Sequence, residues 1–213
     1  MNYSEGIREQ IRSRAEAALE VAPGSGYRSL GQNPTILFHE LDGGASHGNF
    51  YTPAWTAIRA SPEWAARLSK PHSQKRALPP QYQAAARELD SSNSSDALLM
   101  NCFCPPGASA IGAGVMGAEP LPATPQFGWN AHVALTDGTF NETEVDMRLG
   151  DTLVEAKLTE ATFTEREKAH VLRYAAVAEV FSLDALPGDK VHFAGYQLRN
   201  LSTSLRHRVG RDY

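Results

Sequence analysis

Cysteine is scarce: only Cys102 and Cys104 occur in 213 residues. One intervening residue gives the wrong Cβ geometry for a disulfide, and two thiolates fall short of a structural zinc site. The pair therefore reads as two small buried residues of a reducing compartment. Long apolar runs are missing too, since none approaches the roughly 20 residues needed to span a bilayer. Met1 to Glu5 are polar and open a helix rather than a signal peptide. The chain is accordingly expected to be soluble and cytoplasmic, and the sequons at Asn93, Asn141 and Asn200 to be accidental. There is also no excess of positive charge. A net charge of −4 rules out a polycation, so nucleic-acid contact would rest on a local basic patch or on metal ions.

What is present is ordinary for a globular chain. Hydrophobic residues make up 42% and charged residues 21%, which argues against wholesale disorder. Residues 4–21 carry Ile7, Ile11, Ala15, Ala18 and Leu19 on one helical face. Residues 22–54 are rich in Gly, Pro and Asn and read as irregular. Short helices are expected from Trp55 to Ala60, from Pro62 after Ser61, and near 80–89. Another runs from Asp96 to Phe103, where a serine caps the start and Leu98, Leu99, Cys102 and Phe103 form the apolar face. Trp55, Trp64 and Trp129 read as core anchors.

Two motifs are decoys. His39-Glu40-Leu41-Asp42-Gly43-Gly44-Ala45-Ser46-His47 holds two histidines and two acids, but at no metal-site spacing, and reads as a surface loop. Gly112-Ala113-Gly114-Val115-Met116-Gly117 fits GxGxxG. A dinucleotide turn needs a strand before it and a helix after it. Here Pro105 and Pro106 precede it, and Pro120, Pro122 and Pro125 follow; residues 104–126 read as a loop.

Strands begin at Phe127. Phe127–Leu135, Thr143–Leu149 and Thr152–Leu158 are expected, followed by a long helix from Glu165 to Phe181 with a Thr164/Glu167 capping box. After Pro187-Gly188 a last helix is expected from Tyr196 to Arg208. Gly150-Asp151 fits a two-residue II′ hairpin turn. That turn sets Leu149 against Thr152, Arg148 against Leu153, Met147 against Val154, Asp146 against Glu155 and Glu144 against Lys157. One face then holds Val145, Met147, Leu149, Thr152, Val154, Ala156 and Leu158. The other collects Glu144, Asp146, Glu155 and Lys157.

Asp146 opposite Glu155 is a like-charge pair with Cβ atoms about 5 Å apart, which is unfavourable unless a cation lies between them. Mg²⁺ suits the place, because it binds through one or two carboxylates plus water and phosphate oxygens. Lys157, about 7 Å further along the strand, would hold a nucleophilic water or stabilise charge on a phosphate. The plain alternative is a solvated strand face on which Glu144 and Lys157 form a surface ion pair.

Asp146, followed by Glu155-Ala156-Lys157, resembles the signature of the PD-(D/E)XK, restriction-endonuclease-like nucleases. Ser94–Phe103, Thr143–Leu158 and Tyr196–Asn200 are similar to a bacterial group assigned as restriction endonucleases, a likeness covering roughly residues 48–205. The resemblance implies an α/β architecture of the α+β kind: a helix, three antiparallel strands, then helices. Residues 91–213 would form this core and 1–90 a helical and irregular extension. It implies Asp146, Glu155 and the Ala156 carbonyl as Mg²⁺ ligands, with Mn²⁺ as a substitute, Lys157 as the catalytic lysine, and DNA as the substrate. Two departures stand out. Val145 replaces the proline of the motif, and the usual fourth strand would fall after the last helix, where the chain stops at Tyr213; Lys190–Phe193 is another source for it.

Secondary candidates follow. Glu144 is either a further ligand or the partner of Lys157, and Gln197 either a supporting polar residue or a solvated one. Arg199, Arg206 and Arg208, with His207 and Arg211, make the C-terminal part basic enough to meet DNA phosphates. His132 reads as a core or surface histidine rather than a base. A homodimer would pair two active sites for cutting both strands. The rival reading is a non-cleaving nucleic-acid-binding or assembly module on the same fold.

Overall fold

Ile36-Leu37-Phe38 offers water no polar side chain, and all three residues are buried. Side chains alternate across a strand. Ile36 and Phe38 accordingly pack with Ala15 and Leu19 of the first helix, while Leu37 packs with Leu78, Ala86 and Tyr27. A computed structural model describes residues 3–108, 124–159, 166–180, 182 and 192–193. Helix α1 is Tyr3–Val21, β1 is Gly26–Arg28 and β2 is Ile36–Phe38, and the two strands pair antiparallel. On its other side β2 meets Ser91 in a bridge, and Ser92 N–H donates to the Ile36 carbonyl at 2.8 Å. Residues 22–54, expected to be irregular, thus contain the most deeply buried strand of their region. Its purely apolar run lacks the alternation that marks a half-exposed strand.

The expected surface loop at 39–47 is instead a small hairpin, β3 (Glu40–Leu41) with β4 (Ser46–His47). His47 is buried, with its ring beside Phe50 and Trp55. Its Nδ1 accepts from Asn49 N–H at 3.1 Å, which places the ring proton on Nε2, 3.1 Å from Asp90 Oδ1. Arg87 Nε donates to the same carboxylate, and Arg87 Nη1 donates to Glu40 at 2.8 Å. This polar set replaces the solvent that the loop reading supplied.

Helix α2 (Thr52–Ala60) and helix α3 (Pro62–Arg67) follow, with Ser61 Oγ accepting from Trp64 N–H as the cap of α3. The helix expected near 80–89 is replaced by 3-10 turns at Pro80–Tyr82 and Glu88–Asp90. Pro79 and Pro80 open the first of these turns, where their fixed φ suits the start and their missing N–H groups cost nothing. Helix α4 (Ser95–Phe103) starts at Ser94, whose Oγ accepts from Ala97 N–H at 3.2 Å. Its buried face is Ala97, Met100 and Cys104, packed with Phe50, Ala54, Trp55, Ile58 and Leu89. The expected face coincides with it only in part: Leu99 is buried and Phe103 half-buried. Leu98 and Cys102 are exposed, and Asp96 is buried because Arg67 and Lys70 reach it at 2.7 and 3.1 Å. Both cysteines are free, and burial pushes the Cys104 thiol up to about 12.

Strands β5 (Gln126–Ala134), β6 (Phe140–Leu149) and β7 (Thr152–Val154) form one sheet in that order. Gly138, at φ 82°, closes the β5–β6 turn, with Leu135 N–H donating to the Thr139 carbonyl at 2.8 Å. The long helix expected over 165–181 is not formed. Arg166–Glu167 is strand β8, and Lys168–Val171 and Val177–Val180 are single helical turns. Between them the backbone is drawn onto β5: Ala175 N–H donates to the Ala134 carbonyl and Thr136 N–H to the Arg173 carbonyl. A residue bonded to a neighbouring strand cannot also serve the helical ladder. Val171, Tyr174 and Val177 still reach the core, packing with Ala131, Val133 and Val145. Strand β9 (His192–Phe193) pairs with β8 in a sheet of its own, not as a fourth strand beside β5–β7. The GxGxxG segment at 112–117 and the expected last helix lie outside the described residues.

The described residues thus form an α+β protein of helices and small antiparallel sheets. They divide into two compact units: Met1–Phe127 with Ala156–Ala161, and Gly128–Glu155 with Thr162–Tyr213.

Two outcomes follow. A Cβ on Gly26 would collide with the Leu37 carbonyl oxygen, so Gly26→Ala is expected to lower stability by about 1–3 kcal/mol, measured as the midpoint of urea unfolding. Burial pushes the Asp90 carboxyl up, but the hydrogen bonds from His47 and Arg87 outweigh it and hold the group below its ordinary 3.8. Its stabilising contribution is then full above that value and lost as the pH falls through the folded value. Asp90→Asn is expected to cost about 1–3 kcal/mol at neutral pH, and the gap to wild type should narrow when unfolding is repeated in acid.

Candidate metal centre

Gly150 adopts φ 57°, as the first central residue of a II′ turn must, and Asp151 has no positive φ. The turn joins β6 to β7 in the expected antiparallel register: Leu149↔Thr152, Arg148↔Leu153 and Met147↔Val154. Along β6 the two faces separate. Val145, Met147 and Leu149 are buried, whereas Glu144 is exposed and Asp146 and Arg148 are half-buried. Apolar burial on one face thus leaves the acids on the face that keeps access to solvent.

The ladder is shorter than the expected strand Thr152–Leu158. It ends at Met147↔Val154, and β7 stops at Val154. Asp146 is the next residue on β6, and Glu155 the first beyond β7; both belong to the second unit. These two carboxylate residues are thus the ones that follow the last pair, one on each side of the hairpin. Glu155 is half-buried, and Lys157, two residues on in the chain, is exposed. Ala156 and Lys157 fall in a segment assigned to the first unit, where β7 has ended. The expected Glu144–Lys157 pair is not part of the ladder.

The donor set is hard oxygen from two carboxylate side chains. Mg²⁺ uses one or two such groups and takes its remaining ligands from water and phosphate, so the residues present fit it. Among the described residues no group of three or more His, Cys, Asp or Glu side chains could hold a metal ion. His132 is exposed, with Nε2 3.8 Å from Glu142 Oε1, a surface pair that is charged only when the ring is protonated. Gln197, Arg199, Arg206 and Arg208 lie outside the described residues. The buried His47–Asp90 contact had no sequence signal, since 43 positions separate its partners.

No described helix is long and apolar enough to cross a membrane. Neither curated proteins nor solved structures contain a match to the chain. A family model described as restriction endonuclease associating with ARP matches residues 30–211, a span that holds Asp146, Glu155, Ala156 and Lys157. The resemblance to restriction endonucleases noted in the sequence is thereby borne out, and the chain belongs to the family of restriction endonucleases associating with ARP.

Proposed function

We propose that this protein is a Mg²⁺-dependent endonuclease that hydrolyses DNA phosphodiester bonds, in restriction or a related defence role. What supports the reading is that the chain belongs to a restriction-endonuclease family and that Asp146 and Glu155 are the residues that follow, on either side, the last β6–β7 pair, Met147↔Val154. Asp146 and Glu155 would hold the ion, with the Ala156 carbonyl as a further ligand. The bound metal would polarise the phosphate and lower the pKa of a coordinated water. Lys157 would steady the attacking water or the charge that builds on the phosphate. The core would then be the restriction-endonuclease-like arrangement, with Asp146 on its second strand and Glu155 just past its third. Cutting both strands of a duplex would call for two copies related by two-fold symmetry.

A non-cleaving nucleic-acid-binding or assembly module is the second reading. It is favoured by the early end of β7 at Val154, ahead of Glu155 and Lys157 in the chain.

The test is incubation of the purified chain with supercoiled and linear DNA in Mg²⁺, Mn²⁺ and EDTA. Lys157→Ala, Asp146→Asn and Glu155→Gln proteins run alongside. Cutting is expected in either metal and abolished by EDTA. Lys157→Ala should lower the rate by about 10²–10³-fold, and the two acid variants should also lose Mn²⁺ binding in calorimetry. Cutting that persists in Lys157→Ala would overturn the site. DNA binding without cutting by wild type in either metal would favour the second reading.

A further inference from the structure

We propose that Arg148 is a phosphate-binding residue of this site, gripping the nucleic-acid backbone beside the bond to be cut; the assignment rests on the nuclease reading above. Arg148 lies two residues beyond Asp146 on β6, on the same face, while the intervening Met147 is fully buried. That spacing sets the two side chains about 7 Å apart along the strand. Across the ladder Arg148 faces Leu153, which stands two residues before Glu155. The cation therefore flanks both acids from the turn side.

Its guanidinium is held in place. The Cζ atom lies 5.2 Å from the Trp129 ring centroid, and Nε donates to the Gly150 carbonyl at 2.8 Å. Nη2 is 3.9 Å from Asp151 Oδ1, but that carboxylate is 97% exposed, so the ion pair contributes little. The Arg148 side chain itself is only 23% exposed. Stacking and the Nε bond fix the plane of the fork before any ligand arrives, so little rotamer freedom remains to be lost on binding. A planar fork matches two phosphate oxygens at once, as a lysine ammonium does not.

A ligand bridging a metal at Asp146 and Glu155 would carry anionic oxygens, and the DNA backbone presents phosphates on both sides of the scissile one. The guanidinium, held at the turn by the Gly150 carbonyl, lies to the turn side of Asp146 and is placed for a phosphate next to the scissile one. Together with the ion it would neutralise charge that the acids alone would repel.

The experiment compares wild type, Arg148→Lys and Arg148→Gln full-length chains. Binding of labelled duplex DNA is followed by anisotropy in EDTA over a salt series, cleavage in Mg²⁺, and thermal unfolding without DNA. Arg148→Gln is expected to weaken binding about 10- to 100-fold and to reduce the log–log salt slope by about 1. Arg148→Lys should keep the slope and lose affinity several-fold, for want of the fork and the stacking. Wild-type affinity and slope in Arg148→Gln, with cutting intact in wild type, would overturn the assignment alone. So would a lowered melting temperature with an unchanged slope, which would mark Arg148 as a clasp on the turn. A wild type that neither binds nor cuts DNA would overturn the nuclease reading, and this assignment with it.

Discussion

A two-residue hairpin closes only if its first central residue takes a positive φ, and glycine meets that condition with least strain. At Gly150 the condition is met, with φ 57°. The pairing of Leu149 with Thr152 follows, and each further pair is fixed by the one before it. Because side chains alternate with a period of two, the same turn decides which residues enter the core and which remain accessible. A slip of one residue would bury Asp146 and expose Met147. Burial of Val145, Met147 and Leu149 makes that slip unfavourable by several kcal/mol, at roughly 1.5–3 kcal/mol per apolar side chain. The placement of the acids is thus enforced by hydrophobic burial on the opposite face.

This dependence explains what the sequence disclosed. Turn chemistry and alternation are local signals, and they yielded the β6–β7 register next to the turn, the start of α3 at Pro62, a serine cap on α4, and the reach of α1. Features set by partners distant in the chain were not legible. The backbone around Tyr174 reads as helix by composition, yet it bonds to the end of β5. His47 lies in a polar, glycine-rich segment, and its burial rests on the distant Asp90 and the rings of Phe50 and Trp55. Asp96 looks like a solvated first-turn acid until Arg67 and Lys70 are seen to reach it. Within the candidate site, the first three pairs after the turn were readable, whereas the early end of β7 was not. Nothing in Val154-Glu155-Ala156-Lys157 signals that pairing ceases at Val154.

The first unit spends its polar groups differently from the second. Asn49 Nδ2 donates to the Leu89 and Ser91 carbonyls, and Asn101 Nδ2 donates to the Asn49 and Ala97 carbonyls. These amides tie segments that share no sheet, as the His47–Asp90–Arg87 set does around them. Buried polar groups that find partners cost little, and they restrict the arrangements available to loops that short helices cannot order alone. In the second unit, by contrast, backbone pairing and an apolar face supply most of the order, leaving the carboxylates of β6 outside the core.

The strap at 173–175 has a further effect. In the order β5–β6–β7, β5 and β7 are the outer strands. An outer strand offers unpaired N–H and C=O groups to any neighbouring chain. Near its turn β5 is covered by the strap, through the Ala134–Ala175 and Thr136–Arg173 bonds, and β7 is only three residues long. Where the 173–175 backbone lies against it, the β5 border is closed to added strands from other copies.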